Sequence, residues 1–388
     1  MEVTEVTEKL YYIDQYLKEC DAVVVSCEKA EDGRFNIILD KTVFFPEGGG
    51  QDADSGTLNG KEIEYVFEQG DDVCHVCKEP FEIGEKVHGI IDFDKRFLIM
   101  QKHSGEHIFC GVAHSLYGVE NVGFHVGHEA VTVDLDKVIT PEQIKKAEEI
   151  TNEIIWQNRK ITSSFPTHEE AENIEFRSKK EITGQIRLVT IEGCDVCACC
   201  GTHVNYTGEI GALKITSISK KRAGSSITMQ IGKAAFEDYS AKHDELAKLS
   251  NMLALKPLEI ADGVQKLKDE IANLKYELAK FKLDAFAEKI KDLSGSLEVV
   301  FEKDLMPDEV RKMCDLLADK VTFAAVLSGT DETGYKYTIA SRTEDVRQIA
   351  KDFNSALNGR GGGKPEMVQG NVSSDREKIE NFLRSALQ

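Results

Sequence analysis

The 388-residue sequence has no apolar run near the ~18 residues that a membrane span requires. It lacks positive charge in excess: 48 Lys and Arg stand against 68 Asp and Glu, a net charge of −20. Broad, non-specific association with nucleic acid is therefore excluded, and any nucleic-acid partner has to be met by local basic patches. The opening MEVTEVTEKLYY is acidic and lacks the basic and apolar regions of a secretory signal, so the expected location is the cytosol. The ten cysteines are then expected to be reduced, and clusters of them read as metal ligands or buried apolar fillers rather than disulfides. What is present is ordinary for a globular chain, 41% hydrophobic and 30% charged residues over a length that suits two or three domains.

The pattern along the chain predicts an α+β protein in four segments. Residues 1–92 carry short β-type runs, such as Asp21-Ala-Val-Val-Val-Ser26 and Phe35-Asn-Ile-Ile-Leu39, punctuated by Gly, Asp and Asn. They read as an antiparallel, β-barrel-like module. Residues 93–236 form a mixed α/β segment. It opens with a helix over about 93–116, where Gly105 and Gly111 are the only breakers. A strand follows at Ala130-Val-Thr-Val-Asp134, then a helix from Thr140-Pro-Glu-Gln, with Thr as cap and Pro in the first position. Residues 237–293 are helical: Ile260, Val264, Leu267, Ile271, Leu274, Leu278, Phe281 and Ala285 repeat as the a and d positions of a coiled coil. Lys256-Pro257 interrupts this segment, and two antiparallel helices joined there are the simplest arrangement. The apolar stripe fits either a helix packed on its own domain or an intermolecular seam. Residues 294–388 form a small α/β unit containing Asn358-Gly-Arg-Gly-Gly-Gly-Lys-Pro-Glu-Met367.

Two clusters carry the chemistry. His103 and His107 are four apart on the first helix, so both imidazoles leave one face and can share a metal. Downstream, Cys194, Cys197, Cys199, Cys200 and His203 crowd together. The helix pair plus this cluster would complete a tetrahedral zinc site, or three ligands plus water. Cys199 and His203 have i, i+4 spacing, while Cys194 and Cys197 form a rival CxxC. Cys110 and His114 continue the helical face, but 103 to 114 spans roughly 16 Å, too far for one ion, and they read as core packing. Cys74 and Cys77 lie in the strand Val73-Cys-His-Val-Cys77, where alternation puts their side chains off register, and they read as barrel interior or surface, not a redox pair.

Two glycine segments stand apart. Phe44-Phe-Pro-Glu-Gly-Gly-Gly-Gln51, followed by Asp54-Ser-Gly56, offers backbone without Cβ for close approach to a ligand, with Gln51 as donor and acceptor. Gly359-Arg-Gly-Gly-Gly-Lys-Pro365 is not a P-loop, because its spacing is one short and Pro365 stands where a magnesium-binding hydroxyl belongs; ATP binding is not expected.

FFPEGGGQ with the following DSG, then QKHSGEH, then CCGTHV followed by TGEIG, resemble in that order the editing domain of alanyl-tRNA synthetases and the free-standing alanyl-tRNA editing proteins of the AlaX type. The helical segment and NGRGGGKPEMVQG resemble the linker and C-terminal domain of the same synthetases, as found in the long AlaX class. The threonyl-tRNA synthetase editing domain shares HxxxH and CxxxH, but the C-terminal glycine segment favours alanine. The resemblance puts the zinc ligands on His103, His107, Cys199 and His203. Where the family usually has Gly after the ligand cysteine, this chain has Cys200, so two adjacent thiols compete.

The activity implied is hydrolysis, in trans, of tRNA(Ala) carrying serine or glycine, without ATP and without charging tRNA. Gly48, Gly49, Gly50 and Gln51 would contact substrate. Gln51 and Thr202 are candidates for holding the serine hydroxyl or placing water, and Glu106 for a general base. Lys220, Lys221, Arg222, Arg360 and Lys364 are candidate tRNA anchors. The helical and C-terminal segments would make a homodimer, bind the tRNA elbow, or both. Two rival readings are an inverzincin-like metallopeptidase, from the HxxEH of His103-Ser-Gly-Glu-His107, and a non-catalytic tRNA-binding protein that keeps zinc for structure.

Overall fold

The computed structural model describes residues 6–126, 130–178 and 184–386. It divides into two compact units, residues 1–248 and 249–388. The division lies inside the helix Lys233–Leu253, so the helical segment expected over 237–293 is split between the two units.

In the first unit, six antiparallel strands close a barrel in the order Glu19–Lys29, Phe35–Leu39, Asp72–Cys77, Lys61–Gln69, Gly56–Leu58 and Lys86–Ile91. Alternating apolar residues such as Ile37, Leu39, Ile63, Val66 and Leu58 fill its interior. His75 is fully buried there, its ring between Thr42 Oγ1 (2.8 Å) and Ile37 O (3.1 Å). Burial pushes its pKa down to about 4. Cys74 and Cys77 are both buried.

The helix Phe93–Tyr117 leaves the barrel directly. Asp92 caps it by accepting from Lys95 N (3.1 Å), and Gly118 ends it in the left-handed region (φ 60°). It runs through the centre of the unit, buried on nearly all sides from Ile99 to Ala113. Gly105, a breaker by sequence, is a packing position: a Cβ there would stand 2.6 Å from Ile231 Cγ2. Around this helix lie a four-stranded antiparallel sheet (Leu213–Lys221, Gly224–Ile231, Val131–Leu135, Asn121–Val126) and a three-stranded one (Ile161–Ser164, Leu188–Ile191, Asp195–Ala198). The helix Pro141–Trp156 starts in a full capping box between Thr140 and Gln143.

The barrel and the central helix are pinned together by one buried ion pair. Arg96 Nε donates to Asp54 (2.9 Å), its Nη2 donates to Asp54 and to Val43 O (2.7 Å), and Asp54 also accepts from Phe45 N (2.7 Å). The Phe44–Gly56 loop and the His103 helix are thereby held in one register.

In the second unit the helix Ile260–Lys289 leads into a five-stranded sheet. Gly295–Glu302 lies parallel to Val321–Thr330, and Gly334–Ala340, Met367–Val372 and Gly359–Lys364 follow antiparallel. The C-terminal glycine run is therefore the edge strand of a hairpin, not a phosphate-cradling loop.

Candidate metal centre

The strand Asp195–Ala198 ends on a turn that carries Cys199 to His203, and this turn meets the middle of the central helix. One ligand atom from each of His103, His107, Cys199 and His203 lies within 4.8 Å of all the others. Cys199 Sγ is 3.3 Å from His103 Nε2 and 3.5 Å from His203 Nε2. A tetrahedral zinc with S and N bonds of ~2.3 and ~2.05 Å requires an S···N edge of about 3.6 Å, so the donor set fits such an ion. The ring of His103 meets that of His107 edge-on and lies tilted against that of His203, with centroids 5.0 and 4.4 Å apart.

The far ring nitrogens of His103 and His203 are held from behind, as oriented metal ligands require. His103 Nδ1 meets Gln51 Oε1 at 3.0 Å. Gln51 Oε1 also accepts from Thr202 N (3.0 Å), and Gln51 Nε2 donates to Thr202 Oγ1 (3.0 Å). His203 Nδ1 meets Ser104 Oγ at 3.1 Å, and that oxygen also accepts from Val204 N (3.1 Å). Gly201 N donates to Cys199 Sγ (3.4 Å). A Cβ at Gly201 would overlap the His103 ring and lie 2.6 Å from Gln51 Oε1, so only glycine lets the turn sit this close.

The glycine turn hands Gln51 into this network. Gly48 and Gln51 exchange backbone hydrogen bonds (3.1 and 3.0 Å), with Gly49 and Gly50 at φ 61° and 85°. Gly50 O accepts from Val126 N (3.1 Å), tying the turn to the edge of the four-stranded sheet. Only a residue without Cβ fits at Gly50, since one would reach 2.6 Å from the Phe124 ring.

A cavity of about 440 Å³ opens beside the cluster, within the usual range for small-molecule sites. Gly49, Gly50, Phe124, Arg187, Cys199 and Cys200 are among its lining residues, as are the edges of His103 and His107. Gln51 and Thr202, both buried, stand behind His103. Glu106 is also buried; its Oε1 accepts from Asn121 Nδ2 (2.5 Å) and Cys110 Sγ (3.1 Å). His114 points the other way and pairs with Glu120 at 2.9 Å.

Of the competing thiols, Cys199 is the one within the cluster, while Cys200 is exposed on the cavity wall. Cys197 joins His107 and Asp195 in a second group within 4.8 Å, but the Asp195 carboxylate is already gripped by Arg177 (2.8 and 2.6 Å). Burial raises the Cys194 and Cys197 thiols to about 12, which disfavours the thiolate a metal needs.

Sequence reasoning did not find Arg187. Its Nη1 donates to Cys199 O (2.7 Å) and Gly201 O (2.9 Å), clamping the ligand turn. Its guanidinium lies over the Tyr12 ring (5.0 Å) and puts a positive charge on the cavity wall, and burial lowers its pKa. The candidate tRNA anchors are elsewhere. Lys220, Lys221 and Arg222 are exposed at a hairpin of the first unit, where Lys221 pairs with Asp134 (2.6 Å). Arg360 and Lys364 are exposed on the edge strand of the second unit.

Two members of this His/Cys cluster, Cys199 and His203, fall in a segment that matches a tRNA synthetase domain. Residues 186–226 match the threonyl and alanyl tRNA synthetase second additional domain. Residues 294–388 match the DHHA1 domain, and residues 2–95, a range that includes the barrel strands, match tRNA synthetases class II (A).

Over nearly its whole length the chain resembles alanyl-tRNA editing proteins. AlaX-L of Pyrococcus horikoshii is 29% identical over 98% of this chain and 99% of its own length. Alanyl-tRNA editing protein Aarsd1 of Danio rerio is 28% identical over 96% of each. The alanine–tRNA ligase of Ignicoccus hospitalis is 30% identical over 98% of this chain, which spans only 43% of that enzyme. The C-Ala domain structure of Aquifex aeolicus alanyl-tRNA synthetase matches 25% of the chain at 18% identity and a TM-score of 0.21, too slight a likeness to build on.

Proposed function

We propose that this chain is a zinc-dependent deacylase that removes serine, or glycine, from mischarged tRNA(Ala) in trans, without charging tRNA itself. The observation that carries the reading is the opening of the His103, His107, Cys199, His203 cluster onto a glycine-walled cavity. Similarity to editing proteins over whole chain lengths supports it.

The reaction adds water to the ester carbonyl. The C–O bond to the terminal ribose breaks, the ribose oxygen takes a proton, and free amino acid and tRNA leave. Zinc, when bound, would supply a Lewis acid that polarises or orients the substrate. The chain's own contributions follow from the contacts. Gly49 and Gly50 let the esterified sugar approach the backbone closely. Gln51 and Thr202 fix the tautomer and orientation of His103, so they act as positioning residues. Glu106, held by Asn121 and Cys110, brings its carboxylate to 3.8 Å from His107 Nε2, where it can act as a general base. Arg187 sets a fixed charge beside the ester, where negative charge develops. Lys220, Lys221 and Arg222, and Arg360 and Lys364, neutralise tRNA phosphates, so binding weakens with salt. The helical and C-terminal segments make the chain a homodimer.

A metallopeptidase is disfavoured, because the groups that complete the HxxEH pair are Cys199 and His203 rather than a distal carboxylate. The test is release of amino acid from Ser-, Gly- and Ala-tRNA(Ala), with Ser- and Thr-tRNA(Thr) as controls. The reading expects selective hydrolysis of Ser-tRNA(Ala) that is lost on chelation. Release no faster than the spontaneous rate from every substrate would reject it.

A further inference from the structure

Strand pairing in the three-stranded sheet runs from the metal centre to the protein surface. Ser164 opposes Leu188, and Leu188 opposes Ala198. One residue further along, Cys199 N donates to Arg187 O (3.0 Å), and Phe165 follows Ser164 on the outer strand. Cys199, Arg187 and Phe165 therefore form one row, two strand spacings or ~10 Å across. Alternation puts this row on the face whose Ile161, Val189 and Ile191 pack into the core around the central helix. The cavity lies at the Cys199 end, with Cys199, Cys200 and Arg187 on its wall.

Tyr12 fills the step between the second and third members of the row. The Arg187 guanidinium lies 5.0 Å from its ring centre, and its ring meets that of Phe165 at 5.6 Å and 67°. Contact with both side chains fixes Phe165 on the cavity side of the sheet. An edge-on contact leaves aromatic face uncovered, and Phe165 is 41% exposed. Its surroundings tolerate a polyanion. From Lys160 to Thr167 there is no carboxylate, although the chain has 68 acidic residues, and Lys160, Thr162, Ser163 and Ser164 are all exposed.

We propose that Phe165, backed by Tyr12 and Arg187, is a stacking platform for the base of the terminal nucleotide whose esterified sugar enters the cavity. The proposal rests on the deacylase reading and names how that site holds the end of its RNA. With the ester beside the His/Cys cluster, the ribose spans the step past Arg187 and the base arrives over Phe165. A base at a single-stranded 3′ end has no pairing partner, and an aromatic face holds it without a hydrogen-bond code. Tyr12, packed between a cation and a ring, keeps Phe165 in place and acts as a positioning residue.

The test is a mutant cycle on the full zinc-loaded chain, using uncharged RNA hairpins that carry a single-stranded CCA end with the terminal base present or removed. Wild type is expected to bind the intact end about 5- to 100-fold more tightly than the abasic one. Phe165→Ala should bind the two hairpins alike. Phe165→Trp should keep the difference, and Phe165→Leu, which has apolar bulk but no ring, should lose most of it. Zinc content and circular dichroism check that each variant is folded with its centre intact. Wild type that binds neither hairpin or both equally, a difference that survives Phe165→Ala, or full retention in Phe165→Leu would overturn the proposal. Hydrolysis of Ser-tRNA(Ala) is measured on the same proteins. Base-dependent binding through Phe165 without hydrolysis rejects the deacylase reading and leaves the platform as a site for an RNA end. Hydrolysis with KM and binding unmoved in Phe165→Ala does the reverse.

Discussion

The chain contains two runs of three glycines, and they are built for opposite reasons. Gly48-Gly49-Gly50 is a turn: Gly49 and Gly50 have positive φ, and Gly50 also lies against the Phe124 ring. Gly361-Gly362-Gly363 is regular extended strand at a sheet edge, paired with Val368, Gln369 and Gly370 and never in the left-handed region. The first run exists to deliver one side chain, Gln51, to a histidine. The second exposes backbone along a strand. Composition is the same; the neighbours decide what each does.

The contrast can be broken most forcefully at the pin that holds the first run in place. Asp54→Ala leaves the fully buried Arg96 guanidinium without its carboxylate, and should cost about 3–5 kcal/mol in urea unfolding of the first unit. No change in midpoint would show that the pin does not hold loop to helix.

Acid should separate the two units next. All ten histidines precede residue 244, so the second unit has none. His75 titrates near 4 when folded, against about 6.5 when unfolded, so the unfolded chain binds the extra proton between those values. Its stabilising contribution is complete above about pH 6.5 and falls away as pH drops towards 4, by about 3 kcal/mol in all. Hydrogen exchange in the barrel should accelerate over that window, and His75→Asn should flatten the trend.

Within the glycine runs, Gly50→Ala combines a positive φ with a collision against Phe124, and should cost about 1–3 kcal/mol together with most of the deacylase activity. Gly362→Ala meets nothing within 4 Å and has no positive φ, so its stability should stay within about 0.5 kcal/mol of wild type. Equal effects at the two sites would erase the distinction. Gln51→Ala should weaken metal affinity about 10- to 100-fold by freeing His103, with KM for the aminoacylated tRNA little changed. A large KM effect at unchanged metal affinity would instead make Gln51 a substrate contact.

Local signals were the legible ones. The i, i+4 spacing of His103 and His107, the Thr140-Pro141 start and the break at Pro257 depend on a few neighbours in sequence, and the helices Phe93–Tyr117, Pro141–Trp156 and Ile260–Lys289 follow them closely. Arg187 and Arg96 carried no local mark, because their roles depend on carbonyls and a carboxylate brought near by folding. Gly201 was hidden for the same reason: its need for a missing Cβ arises from a ring 98 residues earlier, at His103. The sequence offers Gln51 and Thr202 as holders of a substrate hydroxyl or of water; its order does not show that the glycine turn sets Gln51 Oε1 3.0 Å from His103 Nδ1.

Metal content per chain, measured on purified wild type and single cysteine variants, bears most directly on the account. One zinc per chain is expected in wild type and in Cys200→Ala and Cys197→Ala, and essentially none in Cys199→Ala. Full zinc in Cys199→Ala, or its loss in Cys200→Ala alone, would contradict the four-residue centre described here.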